Sequence, residues 1–314
     1  MKFLYFLESI RNSFFDGFFS LITEIGGETT LLVLGFIFFW CIDKKQGYFT
    51  LLCGLFGTVI NQGLKLMCKI PRPWVIDKNF TIVESAREAA TGYSFPSGHT
   101  QNVAGTFGSL AVGQRKHKPI VIISAVIIIL VAFSRMYLGV HTPLDVCFSL
   151  VFGGILVFAL YPIFSTEERF ARYMPFAVCA SALLSFAHVL FVFLMPAAEV
   201  DPENLASGMK NGATLFGCTL GLIPVYILDR RLIKFDTGAK WYAQILKLVL
   251  GILGVLFIKE GLESPLEALL RNEYTARAVR YFLVVMFAGA VWPLTFGFFS
   301  KLRIKAIDKI TGKK

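Results

Sequence analysis

Two short segments combine a histidine with residues that typically begin a helix. In the segment YSFPSGHT, residues 93–100, a Pro-Ser-Gly turn precedes a run compatible with a helix. This order predicts Ser97 as an N-cap, and the free N–H groups of the following turn could bind an anion. His99 then lies in that first turn. In the second segment a Thr-Pro dipeptide directly follows His141 and predicts an N-cap and a first helical position there.

Basic residues accompany both histidine segments. Lys65 and Arg72 precede the first segment, and Arg135 precedes His141 by six positions. Arginine can bind two oxygens of a phosphate through parallel hydrogen bonds, and lysine adds a point charge. If the fold brings these cations, the serine turn and the two histidines into one volume, the ligand that suits them is a phosphate group.

The composition is that of an integral membrane protein. The chain has 314 residues, of which 55% are apolar and 32 are phenylalanine, and its mean hydropathy is +0.65. A soluble domain of this length is far less apolar. The net charge of +10 does not indicate a nucleic-acid partner, because in a membrane protein the placement of the basic residues matters. Six cysteines without metal-ligand spacing are predicted to be reduced packing residues: Cys41, Cys53, Cys68, Cys147, Cys179 and Cys218.

Apolar periodicity predicts one amphipathic helix followed by membrane spans. Over residues 3–25 the apolar side chains share one helical face, which favours a helix lying in the membrane interface over a span. Glu8, Arg11 and Asp16 interrupt the pattern of a removable signal, so we expect the mature chain to keep this segment. About nine further segments approach the length that a bilayer core requires. They are 27–42, 48–68, 97–113, 119–137, 142–162, 175–195, 211–228, 241–258 and 278–299.

Charges in the connections predict the orientation. Connections rich in lysine and arginine are expected to be cytoplasmic; they carry Lys44 and Lys45, Arg115, Lys116 and Lys118, Arg169 and Arg172, Arg230, Arg231, Lys234 and Lys240, and the tail 301–314. The opposite set contains the stretch 69–95, the turn 135–141, an acidic loop with Glu199, Asp201 and Glu203, and a second with Glu260, Glu263 and Glu267. Both histidine segments therefore face away from the cytoplasm. Arginines on that side break the charge bias, which indicates a chemical role.

The segments together resemble the type 2 phosphatidic acid phosphatase (PAP2) family, which is grouped with the vanadium haloperoxidases. The patterns K-x6-R-P, P-S-G-H and S-R-x5-H-x3-D stand complete at residues 65–73, 96–99 and 134–145. The resemblance covers roughly residues 27–162. It implies an all-α polytopic membrane helix bundle, with a PAP2-like core of about five spans. We expect an amphipathic helix at 1–26, the catalytic core at 27–164 and about four additional spans in 165–314.

The resemblance also implies roles for individual residues. His141 would attack phosphorus and form a phosphohistidine, and Asp145 would fix the tautomer of its ring. His99 would be the general acid that protonates the leaving oxygen and later activates water. No metal or other cofactor is implied. Five groups would hold the phosphoryl oxygens: Lys65, Arg72, Ser97, the amide of Gly98, and Arg135.

Other polar residues have simpler interpretations. His188 lies in the middle of a span and His117 in a basic turn, and both are predicted to be structural. Asn61 and Gln62 are predicted to support helix packing, with contact to Lys65 as an alternative. Gly217 and Gly221 form a small-xxx-small pair suited to close helix packing. Aromatic residues of the loop 74–93, Trp74 and Phe80, could meet a lipid or anchor the interface.

These features predict a multi-pass membrane phosphatase acting on a lipid phosphate from the non-cytoplasmic face. Phosphatidate, a sphingoid-type phosphate and a polyprenyl pyrophosphate all remain open as substrates, and the sequence indicates no oligomeric state. Two alternatives remain: a lipid phosphotransferase that uses the same phosphohistidine, and a non-catalytic lipid-phosphate binder or transporter. The membrane is either a bacterial plasma membrane or a eukaryotic endomembrane.

Overall fold

A computed structural model describes residues 1–87, 90–196, 198 and 200–302. The described chain is helical, without strands, which confirms the predicted all-α class. The predicted acidic loop at Glu199 and the basic tail beyond 302 lie partly outside the described residues. The α-helices are α1 (Lys2–Ser9), α2 (Ser13–Glu24), α3 (Glu28–Phe36), α4 (Lys44–Cys68), α5 (Pro73–Ile76), α6 (Gly98–Gly113), α7 (Lys118–Tyr137), α8 (Pro143–Phe164), α9 (Glu167–Leu194), α10 (Pro202–Leu228), α11 (Trp241–Gly261), α12 (Glu263–Leu270), α13 (Glu273–Met286) and α14 (Phe296–Lys301).

Shorter helical turns connect several of these helices. π-Helical turns extend α3, α10 and α13, at Ile37–Ile42, Asp229–Ile233 and Phe287–Val291. Two 3₁₀ turns lie at Glu84–Ala86 and Trp292–Thr295. Because the π-helical turns continue the preceding helices, each lengthens an apolar segment without a loop.

The number of spans is lower than the sequence predicted. Within the described residues, seven helical segments are long and apolar enough to cross a membrane. An eighth results if the bent pair Ser13–Glu24 and Glu28–Ile42, at 48°, counts as one span. Helix α6 has only 16 residues, or about 24 Å at 1.5 Å per residue, against a hydrocarbon core of about 30 Å. It is therefore short for a span, although it forms where the third span was predicted.

Helix α6 occupies the centre of the N-terminal half and packs against α4, α7 and α8. Its first turn is fixed by Ser97, whose hydroxyl accepts a hydrogen bond from the Thr100 amide. Helix α8 begins with a capping box: the Thr142 hydroxyl accepts from the Asp145 amide, and the Asp145 carboxylate accepts from the Thr142 amide. Both predicted N-caps are confirmed, and so is Pro143 as the first residue of α8.

The C-terminal helices pack on the N-terminal half through α10. Helix α10 contacts α4, α9 and α13. At the α10–α13 contact, Gly217 lies against the backbone of Ala278 and Gly221 against Val285, so the predicted close helix packing is confirmed. At the opposite end of the bundle from the histidine segments, an aromatic cluster joins both halves; it includes Trp40, Tyr48, Phe49, Phe170, Tyr226, Phe235 and Phe296.

The N-terminal segment is two helices and not the single interfacial helix that was predicted. Helix α2 starts at an N-cap, Asn12, whose side chain accepts from the Phe15 amide. The segment also packs on protein: the Arg11 Nε donates to the Tyr137 carbonyl at 2.9 Å, and the Tyr137 hydroxyl donates to Asp16 at 2.9 Å. Phe80 is buried near Leu4 in this contact, so its ring packs on protein, and of its two interpretations contact with lipid is not supported. These contacts place α1 and α2 directly behind the turn that carries His141.

Candidate active site

Most of the predicted site residues surround one cavity. Its volume is about 210 Å³, far above the about 10–15 Å³ that a single water needs by the same measure. A phosphate group therefore fits with space left over. Six predicted residues line it: Lys65, Arg72, Gly98, His99, Arg135 and His141. The cavity lies at the ends of α4, α6 and α7, where the three sequence motifs meet.

Backbone carbonyls hold Arg72 in place. Its guanidinium donates to the carbonyls of Thr91 at 2.6 Å, Gly92 at 3.0 Å and Val140 at 3.0 Å. One of its nitrogens, Nη1, also lies 3.0 Å from Nε2 of His141. Neutral acceptors fix the orientation of the guanidinium without cancelling its charge. Arg72 is buried, so water screens its charge little. Since no acceptor cancels it, the charge is available to an anion in the cavity.

The other two cations are also bound by neutral groups. Lys65, near the C-terminal end of α4, donates to the Tyr93 carbonyl at 2.5 Å. Arg135, near the end of α7, donates from Nη1 to the Thr23 hydroxyl at 2.6 Å, and its Nε has no hydrogen-bond partner. Within the described residues none of the three cations has a carboxylate within ion-pair distance. Such a set is suited to an anion with several oxygens.

His141 lies in the turn between α7 and α8, and its backbone amide donates to the Arg135 carbonyl at 3.2 Å. Its Nδ1 lies 3.5 Å from Oδ2 of Asp145. Since an arginine N–H faces Nε2, we assign Nε2 as the unprotonated nitrogen and Nδ1 as the one that carries hydrogen. The lone pair of Nε2 is then the one that can react.

Asp145 is buried and has its own supports. Its Oδ2 accepts from the Ser94 hydroxyl at 2.6 Å and from the Thr142 amide at 2.8 Å. These donors hold the carboxylate beside Nδ1 of His141, as a group that orients a histidine requires. Asp145 does not line the cavity. It contacts His141 from outside the cavity, and its predicted role in orienting that ring stays a prediction.

The surroundings of His141 disfavour the charged form of its imidazole. Burial lowers the pKa of His141 well below its ordinary value, and the nearby charges of Arg72, Arg135 and Lys65 lower it further. The imidazolium form has no free lone pair, so a lowered pKa favours the nucleophilic form.

His99 lies in the first turn of α6 and lines the same cavity as His141. The Gly26-Gly27 turn between α2 and α3 lies against it. A Cβ atom at Gly26 would come within 3.0 Å of the His99 carbonyl oxygen and 3.1 Å of its Cβ. The absence of a side chain at position 26 therefore lets this histidine occupy its place.

Ser97 is the one predicted phosphate ligand that the structure does not bring to the cavity. Its side chain is fully buried, and its hydroxyl lies 2.9 Å from that of Thr100 and caps α6. Its predicted place among the phosphate-binding groups is therefore not supported by the geometry. The neighbouring Gly98 does line the cavity, where its unblocked backbone leaves room for a ligand.

Sequence reasoning missed several groups at the cavity. Thr91 and Gly92 line it and supply the carbonyls that hold Arg72. Five polar side chains also line it: Glu28, Gln62, Asn102, Ser207 and Asn211. Gln62 was predicted to support helix packing, with contact to Lys65 as the alternative, and it lines the cavity beside Lys65. Ser207 and Asn211 could not be anticipated, because they lie in α10, far along the chain. In the part of the chain that the structure describes, no group of three or more His, Cys, Asp and Glu residues could hold a metal ion.

Comparisons with known proteins identify the family of this chain. Residues 46–169 match the family model described as PAP2 superfamily. Residues 210–305 match a second model, described as PAP2 superfamily phosphatase, transmembrane extension. No solved structure matches the chain.

Three curated relatives show how far the similarity extends. Phosphatidylglycerophosphatase B of Bacillus subtilis is 32% identical over 48% of this chain and 75% of its own length. Undecaprenyl-diphosphatase BcrC of Bacillus subtilis is 32% identical over 49% of this chain and 77% of its own length. A probable sphingosine-1-phosphate phosphatase of Dictyostelium discoideum is 28% identical over 67% of this chain and 54% of its own length.

The resemblance that the three motifs indicated is thus confirmed, and the apolar helices make this an integral, multi-pass membrane protein. The relatives are named as phosphatases, and both halves of the chain match models of one superfamily. The chain belongs to the PAP2 superfamily and carries, after its catalytic region, that superfamily's transmembrane extension.

Proposed function

We propose that this protein hydrolyses the phosphate ester or diphosphate of a membrane lipid, through a phosphohistidine on His141, at the non-cytoplasmic face. The observation that carries the proposal is the setting of Nε2 of His141. This nitrogen lies at a cavity whose three cations are bound by neutral groups, while Asp145 lies at the other ring nitrogen. The arrangement offers a nucleophile and a binding place for phosphoryl oxygens in one cavity.

The first half of the reaction transfers the phosphoryl group to the protein. Nε2 of His141 forms a bond to phosphorus while the bond from phosphorus to the lipid oxygen breaks. Burial and the charges of Arg135, Arg72 and Lys65 lower the pKa of His99 to about 2 in the empty cavity. The bound phosphate offsets these cations, so His99 is protonated in the complex and gives its proton to the departing oxygen. Lys65, Arg72 and Arg135 stabilise the negative charge on the other phosphoryl oxygens. Asp145 stabilises the positive charge that develops on the imidazole ring.

The second half returns the histidine to its starting state. His99, now neutral, accepts a proton from a water molecule as the water oxygen bonds to phosphorus. The bond from phosphorus to Nε2 breaks, and phosphate leaves the cavity. A lipid alcohol in place of water would give phosphotransfer with the same residues. Hydrolysis is favoured here because three relatives carry names of phosphatases.

Two observations support the membrane arrangement. The cavity lies at one end of the bundle, and predicted cytoplasmic connections meet at the other, where Lys44 binds Asp229 and Lys45 binds Glu167. Basic residues in short connections are typical of the cytoplasmic side. The many apolar helices favour a substrate whose tail remains in the bilayer. Phosphatidate, a sphingoid-type phosphate and a polyprenyl diphosphate are the classes to compare.

The test compares His141→Ala with wild type in detergent, using these three lipid classes and measuring released phosphate. We expect the variant to lose about a thousandfold or more, as is typical when a nucleophile is removed. With a lipid labelled at phosphorus, rapid acid-free quenching should trap label on wild type and on His99→Ala, and none on His141→Ala. His117→Ala, in an exposed basic turn, is the matched control and should keep full activity. Undiminished turnover by His141→Ala would exclude this nucleophile.

A further inference from the structure

The cavity is formed by both halves of the chain. Helix α10 belongs to the C-terminal half, yet its first turns cover the cavity, where they present Ser207 and Asn211 one helical turn apart. The Asn211 amide lies 3.5 Å from the Ser207 hydroxyl, so the two side chains form one polar surface. Gly208, between them, packs against Leu66 of α4. This contact fixes α10 beside the helix that carries Lys65.

The same helix also approaches the loop that holds the cations. Asn204 lies near Gly92, whose carbonyl accepts from Arg72. A small second pocket separates the start of α10 from that loop and is lined by Tyr93, Asn204 and Ser207. A ligand on Arg72 and Lys65 therefore has α10 as its neighbour on one side.

Charge is distributed unevenly in the cavity. Lys65, Arg72 and Arg135 are all buried. The one carboxylate among the described lining residues, Glu28, is exposed, at the first turn of α3. No described lysine, arginine or histidine lies within 4.0 Å of that carboxylate. The described protein therefore offers this carboxylate no cationic partner. The cavity thus has a cationic interior and, at its exposed edge, a carboxylate without a cationic partner.

Neutral hydrogen-bonding groups complete the lining. Gln62, Asn102, Ser207 and Asn211 together offer amide and hydroxyl donors and acceptors. Phosphate alone would fill only part of the volume of about 210 Å³ and would leave Glu28 without a cationic partner. A ligand that matches the whole cavity has an anion at one end, a cation near the entrance, and polar substituents between.

From this distribution of charge we infer that α10 and Glu28 form a headgroup subsite for a lipid phosphate monoester that carries a protonated amine a few bonds from its ester oxygen. The phosphate occupies the cationic interior, the ammonium binds the Glu28 carboxylate, and Ser207 and Asn211 contact the polar groups next to it. The inference rests on the proposed function, because it assumes that the phosphate group is the one that reacts at His141. It narrows the three substrate classes to the amine-bearing one.

The experiment uses the full chain in detergent and two lipids of equal chain length, a 2-aminoalkyl phosphate and its 2-hydroxyalkyl analogue. We expect wild type to prefer the amine by about tenfold or more in kcat/KM, which corresponds to about 1.4 kcal/mol. Glu28→Gln should lower kcat/KM for the amine alone and bring the ratio close to one. Asn211→Leu should raise KM for both lipids and change kcat little.

The matched control is Glu203→Gln, which removes a carboxylate from the exposed first turn of α10 outside the cavity; it should keep the wild-type ratio. If wild type hydrolyses both lipids with equal efficiency, or if Glu28→Gln retains the preference, the subsite is wrong and the phosphatase assignment stands. If wild type releases phosphate from neither lipid nor from the other classes, the proposed function fails, and the inference fails with it.

Discussion

The positive charges at the two ends of the helix bundle have different partners. At the end away from the cavity, Lys44 donates to both carboxylate oxygens of Asp229 at 3.0 Å, and Lys45 binds Glu167 at 2.7 Å. At the cavity, Lys65 and Arg72 donate to backbone carbonyls. A carboxylate cancels a cation, whereas a carbonyl only orients it. The difference shows which charges serve the fold and which remain available to a ligand.

Burial makes the contrast stronger. Arg72 and Arg135 are 6% and 1% exposed, and removing such groups from water without a counter-ion is costly. Folding alone gives no reason to keep buried cations without acidic partners. A bound phosphate would supply the missing negative charge. Binding of a phosphate would therefore offset the free energy lost by burying these cations. Functional sites often reduce the stability of a fold in this way.

Replacing one cation at each end of the bundle by methionine is expected to give the largest difference in activity. Arg72→Met removes the donor beside Nε2 of His141, and we expect kcat/KM to fall by about 10²–10³, as for other lost donors to transition-state charge. Lys44→Met should leave activity per folded molecule unchanged. It leaves the buried Asp229 without its only described cation, so we expect a loss of about 1–3 kcal/mol in stability.

Phosphate release and the thermal unfolding midpoint in detergent would be measured for both variants. Equal losses of activity in the two would contradict the division of roles between the ends. A higher midpoint for Arg72→Met would agree with an uncompensated charge in the empty cavity.

Parts of this contrast could be predicted from the sequence and parts could not. The spacing of Lys65, Arg72, Arg135 and the two histidines predicted which side chains meet, because these residue types at these intervals form a known pattern. Local rules also predicted the N-caps Ser97 and Thr142, since capping depends on neighbours within one turn. The same rules assigned Ser97 to phosphate as well, whereas its hydroxyl is buried, caps α6 and does not line the cavity.

The carbonyls that hold the cations carried no signal in the sequence. Every residue has a carbonyl, so nothing in Thr91-Gly92-Tyr93 distinguishes these from others. The approach of α10 to the cavity depends on a contact between Gly208 and Leu66, which lie far apart along the chain. Hydropathy predicted that α10 spans the membrane, but it contains no information about which helix lies beside it.

A smaller effect is expected where a neutral group orients a cation. The Thr23 hydroxyl accepts from Nη1 of Arg135, which already lacks a partner at Nε. Thr23→Val keeps the shape and removes the acceptor, so Arg135 should become less well fixed and kcat/KM should fall about tenfold, roughly the worth of one such bond. Thr30→Val is the control, because that hydroxyl binds the Glu24 carbonyl. If both variants lose the same activity, Thr23 serves the stability of the N-terminal helices and not Arg135.

The smallest expected effect is at Gly26, which has no side chain and so leaves space for His99. At Gly26 a Cβ would lie 2.7 Å from Cγ1 of Val131 and 3.0 Å from the His99 carbonyl oxygen. The Val131 side chain can move a little, but the backbone of α6 is fixed by the Ser97 cap. Gly26→Ala should therefore displace His99 slightly and reduce kcat a few-fold, since general acid catalysis depends on close geometry.

Gly17→Ala is the matched control for that change, because no atom lies within 4 Å of a Cβ there. Alanine also has the higher helix propensity, so this control should be at least as stable as wild type. If His99 is the acid, the loss in Gly26→Ala should shrink for a lipid diphosphate, whose leaving group needs less protonation than an alkoxide does. An equal loss for both substrates would mean that the shift disturbs binding at the cations, and the acid would then have to be sought elsewhere in the cavity.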